Sequence, residues 1–122
     1  METVKRFKYG WFGDGGLGER LIQEILSGRK TATSCPDYDP DDSDLAPGDQ
    51  LDLVDKNGRK RARLVVTRIE RRPLGSYDEA LAALCGTTLP ELLASLRFAN
   101  GRELRPDEEM RITHFQLITR EP

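Results

Sequence analysis

The sequence predicts an α+β fold: a small mixed sheet or partly closed barrel with short helices packed at its edges. Three observations lead there. The chain has 122 residues, the size of one domain with a modest core, so residues 1–122 read as a single unit. Short stretches that alternate with period two are interspersed with apolar stripes at helical spacing. Their order, strand, helix, several strands, two helices, strand, lacks the regular strand-helix alternation of a doubly wound sheet.

The elements follow in order. Val4 to Phe12 sets Phe7, Tyr9 and Trp11 against Arg6 and Lys8, the pattern of a half-buried strand. Gly13 to Gly18 makes a turn. Glu19 to Ser27 then places Leu21, Ile22, Ile25 and Leu26 on one helical face, and Gly28 is suited to end that helix. Pro36, Pro40 and Pro47 mark a loop. Leu51 to Asp55 and Arg61 to Ile69 read as strands joined through Asn57 and Gly58, a strong hairpin signal. Ser76 with Glu79, and Thr88 with Glu91, each form a capping box for a short helix. The first runs to about Leu84, and the second carries Leu89, Leu92, Leu93 and Leu96. Arg111 to Thr119 alternates Phe115 and Leu117 against His114 and Gln116, a closing strand.

Composition narrows the function classes. Lysine and arginine number 19 and aspartate and glutamate 21, for a net charge of -2. A generic nucleic-acid-coating protein would be strongly basic. The small total conceals a partition, since Asp37 to Asp55 holds eight aspartates and no base, whereas Lys56 to Arg72 holds eight bases and one acid, Glu70. Either the two segments pair with each other, or the basic one offers a face to phosphates. No run approaches the ~20 apolar residues of a membrane span. Neither a signal peptide nor an anchor is apparent, and a cytoplasmic protein is expected. Cys35 and Cys85 are expected to be reduced thiols.

Three segments carry chemical signals. Gly13-Asp14-Gly15-Gly16-Leu17-Gly18 fits G-x-G-x-x-G, but the preceding strand is charged on one face and the chain soon enters an aspartate-rich loop. A plain glycine-rich turn is therefore favoured over dinucleotide binding. A small anion at the backbone amides before Glu19 stays open. His114, Cys35 and Cys85 lack metal-ligand spacing, so no metal and no cofactor are expected. Finally, Gly28-Arg29-Lys30-Thr31-Ala32-Thr33-Ser34-Cys35 places two cations and three hydroxyls directly after a helix end. It reads as helix-end cations plus a strand, or as a lysine whose burial lowers its pKa enough to take a proton.

The run Ile25-Leu26-Ser27-Gly28-Arg29-Lys30-Thr31-Ala32-Thr33 closely resembles the opening motif of the ASCH domain, a family with a PUA-like barrel. Pro47-Gly48-Asp49-Gln50-Leu51 is similar to that family's Gly-Asp turn into a strand. Gly86-Thr87-Thr88-Leu89-Pro90-Glu91-Leu92 resembles its second helical motif, and the strand with Phe115 and Leu117 its ending. The resemblance covers most of the chain in order. It implies a PUA-like mixed barrel, a cleft around Lys30, and a link to RNA or modified nucleosides. Some members are amidohydrolases of N4-acylcytidines that use a lysine, a threonine and a glutamate. Those positions fall on Lys30, Thr33 and Cys85.

Cysteine in place of the glutamate puts a neutral thiol, with an ordinary pKa near 8.5, where an acid is needed. Glu79 or Glu91 would have to reach the cleft instead. Lys30 and Thr33 would also point to opposite faces of a regular strand, so their cooperation requires a bend. The leading expectation is a domain that binds single-stranded RNA or a modified nucleoside around Lys30, with Gly28, Arg29, Thr31 and Ser34 beside it. Arg61, Arg63 and Arg68 are candidate phosphate contacts, and Tyr9 and Trp11 are candidates for stacking or for the core. The alternatives are an amidohydrolase working through Lys30 and Thr33, or a metal-independent ribonuclease.

Overall fold

A computed structural model of the chain describes residues 4–10, 12–37, 45–101 and 103–120. Its elements are β1 (Val4–Lys8), α1 (Leu17–Leu26), β2 (Ala32–Pro36), β3 (Gln50–Val54), β4 (Lys60–Pro73), α2 (Glu79–Leu84), α3 (Leu89–Asn100) and β5 (Glu109–Arg120), with a short 3-10 turn at Leu74–Ser76. The strands form one sheet in the order β1-β3-β4-β5-β2. Only β1 and β3 run parallel; β3 with β4, β4 with β5, and β5 with β2 are antiparallel.

The mixed sheet with helices agrees with the expected class, but among the described residues the sheet is not closed, so the expected barrel is not confirmed. β1 and β2 are the two edges of the sheet, and no ladder joins them among the described residues. The edges do approach each other where the Tyr9 hydroxyl donates to Thr33 Oγ1 at 2.7 Å. The first strand is also shorter than its alternation suggests. It ends at Lys8, and Gly10 follows with a φ of 95°. Trp11 lies outside the described residues.

Two apolar clusters hold the elements together. Ile22 and Ile25 of α1 pack on Phe7, Leu51, Leu53, Leu64, Val66 and Phe115. Tyr77, Leu81, Cys85, Leu92 and Leu96 pack on Ala32, Met110 and Ile112. Burial of such side chains, at ~25 cal/mol per Å² of apolar area, is the main favourable contribution to folding. The turn into α1 depends on one close approach. A Cβ on Gly18 would lie 2.3 Å from the Gly10 Cα, so only glycine lets the helix cross the chain leaving β1. The Asp14 carboxylate accepts from the amides of Gly16 and Gly18 at 2.9 and 3.0 Å. It thereby occupies the place a phosphate would take, which leaves the glycine-rich segment a self-satisfied turn.

The Asn57-Gly58 signal is realised. Asp55 Oδ1 accepts from the amides of Asn57 and Arg59 at 2.9 and 3.0 Å, and Gly58 adopts a φ of 80°. The hairpin register then sets the acidic and basic segments against each other: Arg63 meets Asp52 at 2.9 Å, Lys60 meets Asp52 at 3.5 Å and Arg61 meets Asp55 at 3.4 Å. Farther along β4, Arg71 meets Asp37 at 3.0 Å. One capping expectation is corrected. Asp78, not Ser76, caps α2, its carboxylate accepting from Leu81 N at 2.9 Å, because Ser76 is still within the 3-10 turn. Thr88 caps α3 through Glu91 N at 3.4 Å, while the Glu91 carboxylate turns to the Thr87 hydroxyl.

Candidate functional site

Gly28 ends α1 with a φ of 83°, and the chain reverses so that Lys30 N donates back to Glu24 O at 3.0 Å. Lys30 then forms an isolated antiparallel bridge with Cys85, and Thr31 N donates to Leu84 O at 2.8 Å. Thr31 O accepts from Phe115 N at 2.9 Å. The lysine is therefore held between the end of α2 and β5, with only 4% of its surface exposed. Gly86, with a φ of 79°, leaves room for it, since a Cβ there would lie 2.9 Å from the Lys30 Cβ.

Lys30 Nζ donates to Ala32 O at 2.7 Å and to Cys85 O at 3.0 Å, and lies 5.7 Å from the centre of the Tyr9 ring. Two carbonyls do not replace the hydration of an ammonium group, and burial pulls the Lys30 pKa down to about 8. The side chain lines a cavity of about 130 Å³ together with Tyr9, Arg20, Thr33, Ser34 and Cys85, walled by Leu92 and Leu96. Lys30 and Thr33 both line this space, and regular strand geometry begins only at Ala32, after Lys30.

The surrounding hydroxyls are engaged. Thr33 Oγ1 accepts from Tyr9, and Ser34 Oγ bonds the Tyr77 hydroxyl, whose pKa burial raises to about 12. Burial also pushes the Cys85 thiol up, so it stays neutral. Among the described residues no carboxylate lines the cavity. Glu79 instead accepts from Leu89 N at 3.2 Å, and Glu91 is held by Thr87.

The other expected residues do not converge here. Gly28 serves as the helix end, Arg29 folds back on Glu24 at 2.6 Å, and Thr31 contributes backbone bonds. Arg61 is clamped by Glu19 at 2.6 Å and by Asp55, and Arg63 by Asp52. Arg68 contacts Glu70 and His114, and His114 in turn contacts Glu70 at 3.0 Å. None of these arginines lines the Lys30 cavity. Sequence reasoning missed Arg20, which does line it; its place one helical turn from Leu17 and Glu24 was the available signal. A larger groove of about 360 Å³ lies between the 3-10 turn and α3, but its lining is chiefly leucine and proline.

A protein from Enterococcus faecalis, described by the family model DUF984, superposes with a TM-score of 0.77 at 23% identity over 98% of this chain and 79% of its own. An ASCH domain from Lactobacillus crispatus gives 0.78 at 18% identity, over 96% and 80% respectively. The chain has the ASCH-domain fold. The hypothetical protein PH0355 superposes less closely, with a TM-score of 0.59 at 20% identity over 95% of this chain and all of its own. No protein-family model and no curated protein sequence matches the chain, so the likeness is one of fold. On this ASCH fold, among the described residues, no three His, Cys, Asp or Glu side chains stand close enough to hold a metal ion. No described helix is long and apolar enough to cross a membrane.

Proposed function

We propose that the protein binds an unpaired base of single-stranded RNA, or a modified nucleoside, with the base edge in the Lys30 cavity. The observation that carries this reading is a buried lysine sharing a small cavity with the hydroxyls of Tyr9, Thr33 and Ser34 and, among the described residues, with no carboxylate. The ASCH fold is compatible with RNA binding. The ammonium has three N–H groups, two of which are spent on Ala32 O and Cys85 O. The third is available to a carbonyl oxygen or ring nitrogen of a base. The cavity is smaller than the ~300–1,000 Å³ of ordinary ligand pockets, which favours one ring rather than a cofactor.

The test is titration of short single-stranded RNA and of cytidine and uridine into the wild type and Lys30→Met at low and high salt. Affinity that Lys30→Met abolishes is expected; equal affinity in both proteins would overturn the reading. Because Lys30 is charged below about pH 8, binding should weaken as pH rises through that value.

A second reading, hydrolysis of an N4-acylcytidine, is favoured by the lowered lysine pKa beside Thr33. In such a reaction the neutral Lys30 amine would take the Thr33 proton, the hydroxyl oxygen would attack the acyl carbonyl, the Lys30 ammonium would return the proton to the cytosine amine as the C–N bond breaks, and water would then cleave the Thr33 ester to release the acid. Among the described residues no carboxylate lines the cavity, so Lys30 would have to supply the leaving-group proton itself. Incubation with N4-acetylcytidine tests it, and no turnover by the wild type at pH 7 to 9 would eliminate this substrate.

A further inference from the structure

The Lys30 cavity continues over the start of α1. Leu17 and Arg20 line both it and a shallow depression of about 270 Å³ above Asp14, Gly15 and Gly16. Asp14 and Gly16 in turn line a third recess that reaches Lys56, Asn57 and Asp55. Lys56, which lines this recess, places its Nζ 6.0 Å from the ring centre of Phe12, a side chain 78% exposed. A single exposed apolar side chain is ordinary on a surface; what distinguishes Phe12 is the ammonium beside its ring.

The acids along this path are largely neutralised. Asp14 is occupied by two backbone amides and by Lys56 at 4.0 Å, and Glu19 and Asp55 are held by Arg61. Arg20 is exposed, and Glu24, whose charge it feels one helical turn away, is bonded to Arg29.

We infer that this channel is the track for a single strand of RNA. Resting on the reading above, one base enters the Lys30 cavity, Arg20 holds the adjoining phosphate, and Phe12 stacks the next accessible base with Lys56 beside it. An exposed aromatic ring next to cations is the sequence-tolerant device of single-strand binders, since every base has a face to stack. The β4 arginines are bonded to intramolecular carboxylates, whereas on this track Lys56 reaches Asp14 only at 4.0 Å. The track also predicts a ligand longer than one nucleotide.

The experiment measures affinity for oligouridylates of one, three and six nucleotides in the wild type, Phe12→Ala, Arg20→Ala and Lys30→Met. Phe12 and Arg20 are surface residues, so their truncation is compatible with folding, and far-ultraviolet circular dichroism checks it. The wild type should gain affinity with length, and either surface substitution should cut that gain about ten-fold. The same gain in Phe12→Ala and Arg20→Ala, with binding still lost in Lys30→Met, overturns the track and leaves the cavity reading standing. Binding that ignores Lys30 but needs Phe12 and Arg20 overturns the cavity reading and upholds the track. No binding to any RNA by the wild type overturns both.

Discussion

Lys30→Met should change the pH dependence of stability in a defined direction. The folded lysine releases its proton near pH 8, whereas the unfolded one keeps it to about 10.5. Between those values the unfolded chain binds the extra proton, so wild-type stability rises with pH. A gap of that size corresponds to roughly 3 kcal/mol. Methionine has no such titration, but it leaves Ala32 O and Cys85 O without a donor, a pH-independent cost of about 1–3 kcal/mol. At pH 7 that cost and the relief from burying a charge nearly offset each other, and the two proteins should be similar in stability. At pH 10 the wild type should lead by roughly 2–3 kcal/mol. The raised pKa values of Cys85 and Tyr77 act oppositely, lowering stability as pH climbs; Tyr77 does so in both proteins, and Cys85 does so more strongly in the variant, where the Lys30 charge no longer holds its pKa down. Urea unfolding of the pair at pH 7, 8.5 and 10 measures the difference. Parallel stability curves across that range would mean that Lys30 is hydrated in the fold, and the cavity described here would lose its basis.

Gly18→Ala should destabilise the protein despite alanine's better helix propensity. The added carbon meets the Gly10 backbone at 2.3 Å, and overpacking of this kind costs ~1–3 kcal/mol or more against a propensity gain of ~1. Thermal unfolding should show a clear fall in Tm, and an unchanged Tm refutes the close approach. Asp78→Ala should cost about 1 kcal/mol by loss of the α2 cap, while Ser76→Ala should cost less; the reverse ranking in urea unfolding would restore Ser76 as the cap. Gly86→Ala should combine left-handed strain with contact on the Lys30 stem, lowering both Tm and ligand affinity. Retained affinity would separate Gly86 from the site.

Local chemistry in this chain was legible in advance, and pairing over distance was not. The β3–β4 hairpin is encoded within five residues, by Asn57, Gly58 and the reach of Asp55 to two nearby amides. The helix before Gly28 follows from its apolar spacing and its glycine. By contrast, nothing local tells β1 to run parallel to β3, or β2 to pair with β5 at the opposite edge. The misplaced α2 cap has a related cause. Ser76 and Asp78 are both good caps, and the 3-10 turn decides between them. At the site, the resemblance marked Lys30 and Thr33, but the burial of Lys30 depends on Cys85 and Leu84, more than fifty residues away. Arg61 and Arg63 looked available for phosphate because their partners, Glu19 and Asp52, are set by the packing of α1 and by the hairpin register, whereas the Arg68 partner Glu70 stands two residues along the same strand.

The open sheet has a consequence for self-association. A closed barrel exposes no strand edge, whereas the described strands leave two, β1 and β2, each a template on which a second molecule could add its own strand. β1 carries Lys5, Arg6 and Lys8 among its five residues, so a copy laid alongside in register would bring like charges together. β2 is only five residues long and ends in Pro36, which has no N–H to offer such a ladder. The cations of β1 thus oppose such pairing, and neutral β-formers at Arg6 and Lys8 are expected to favour association along that edge.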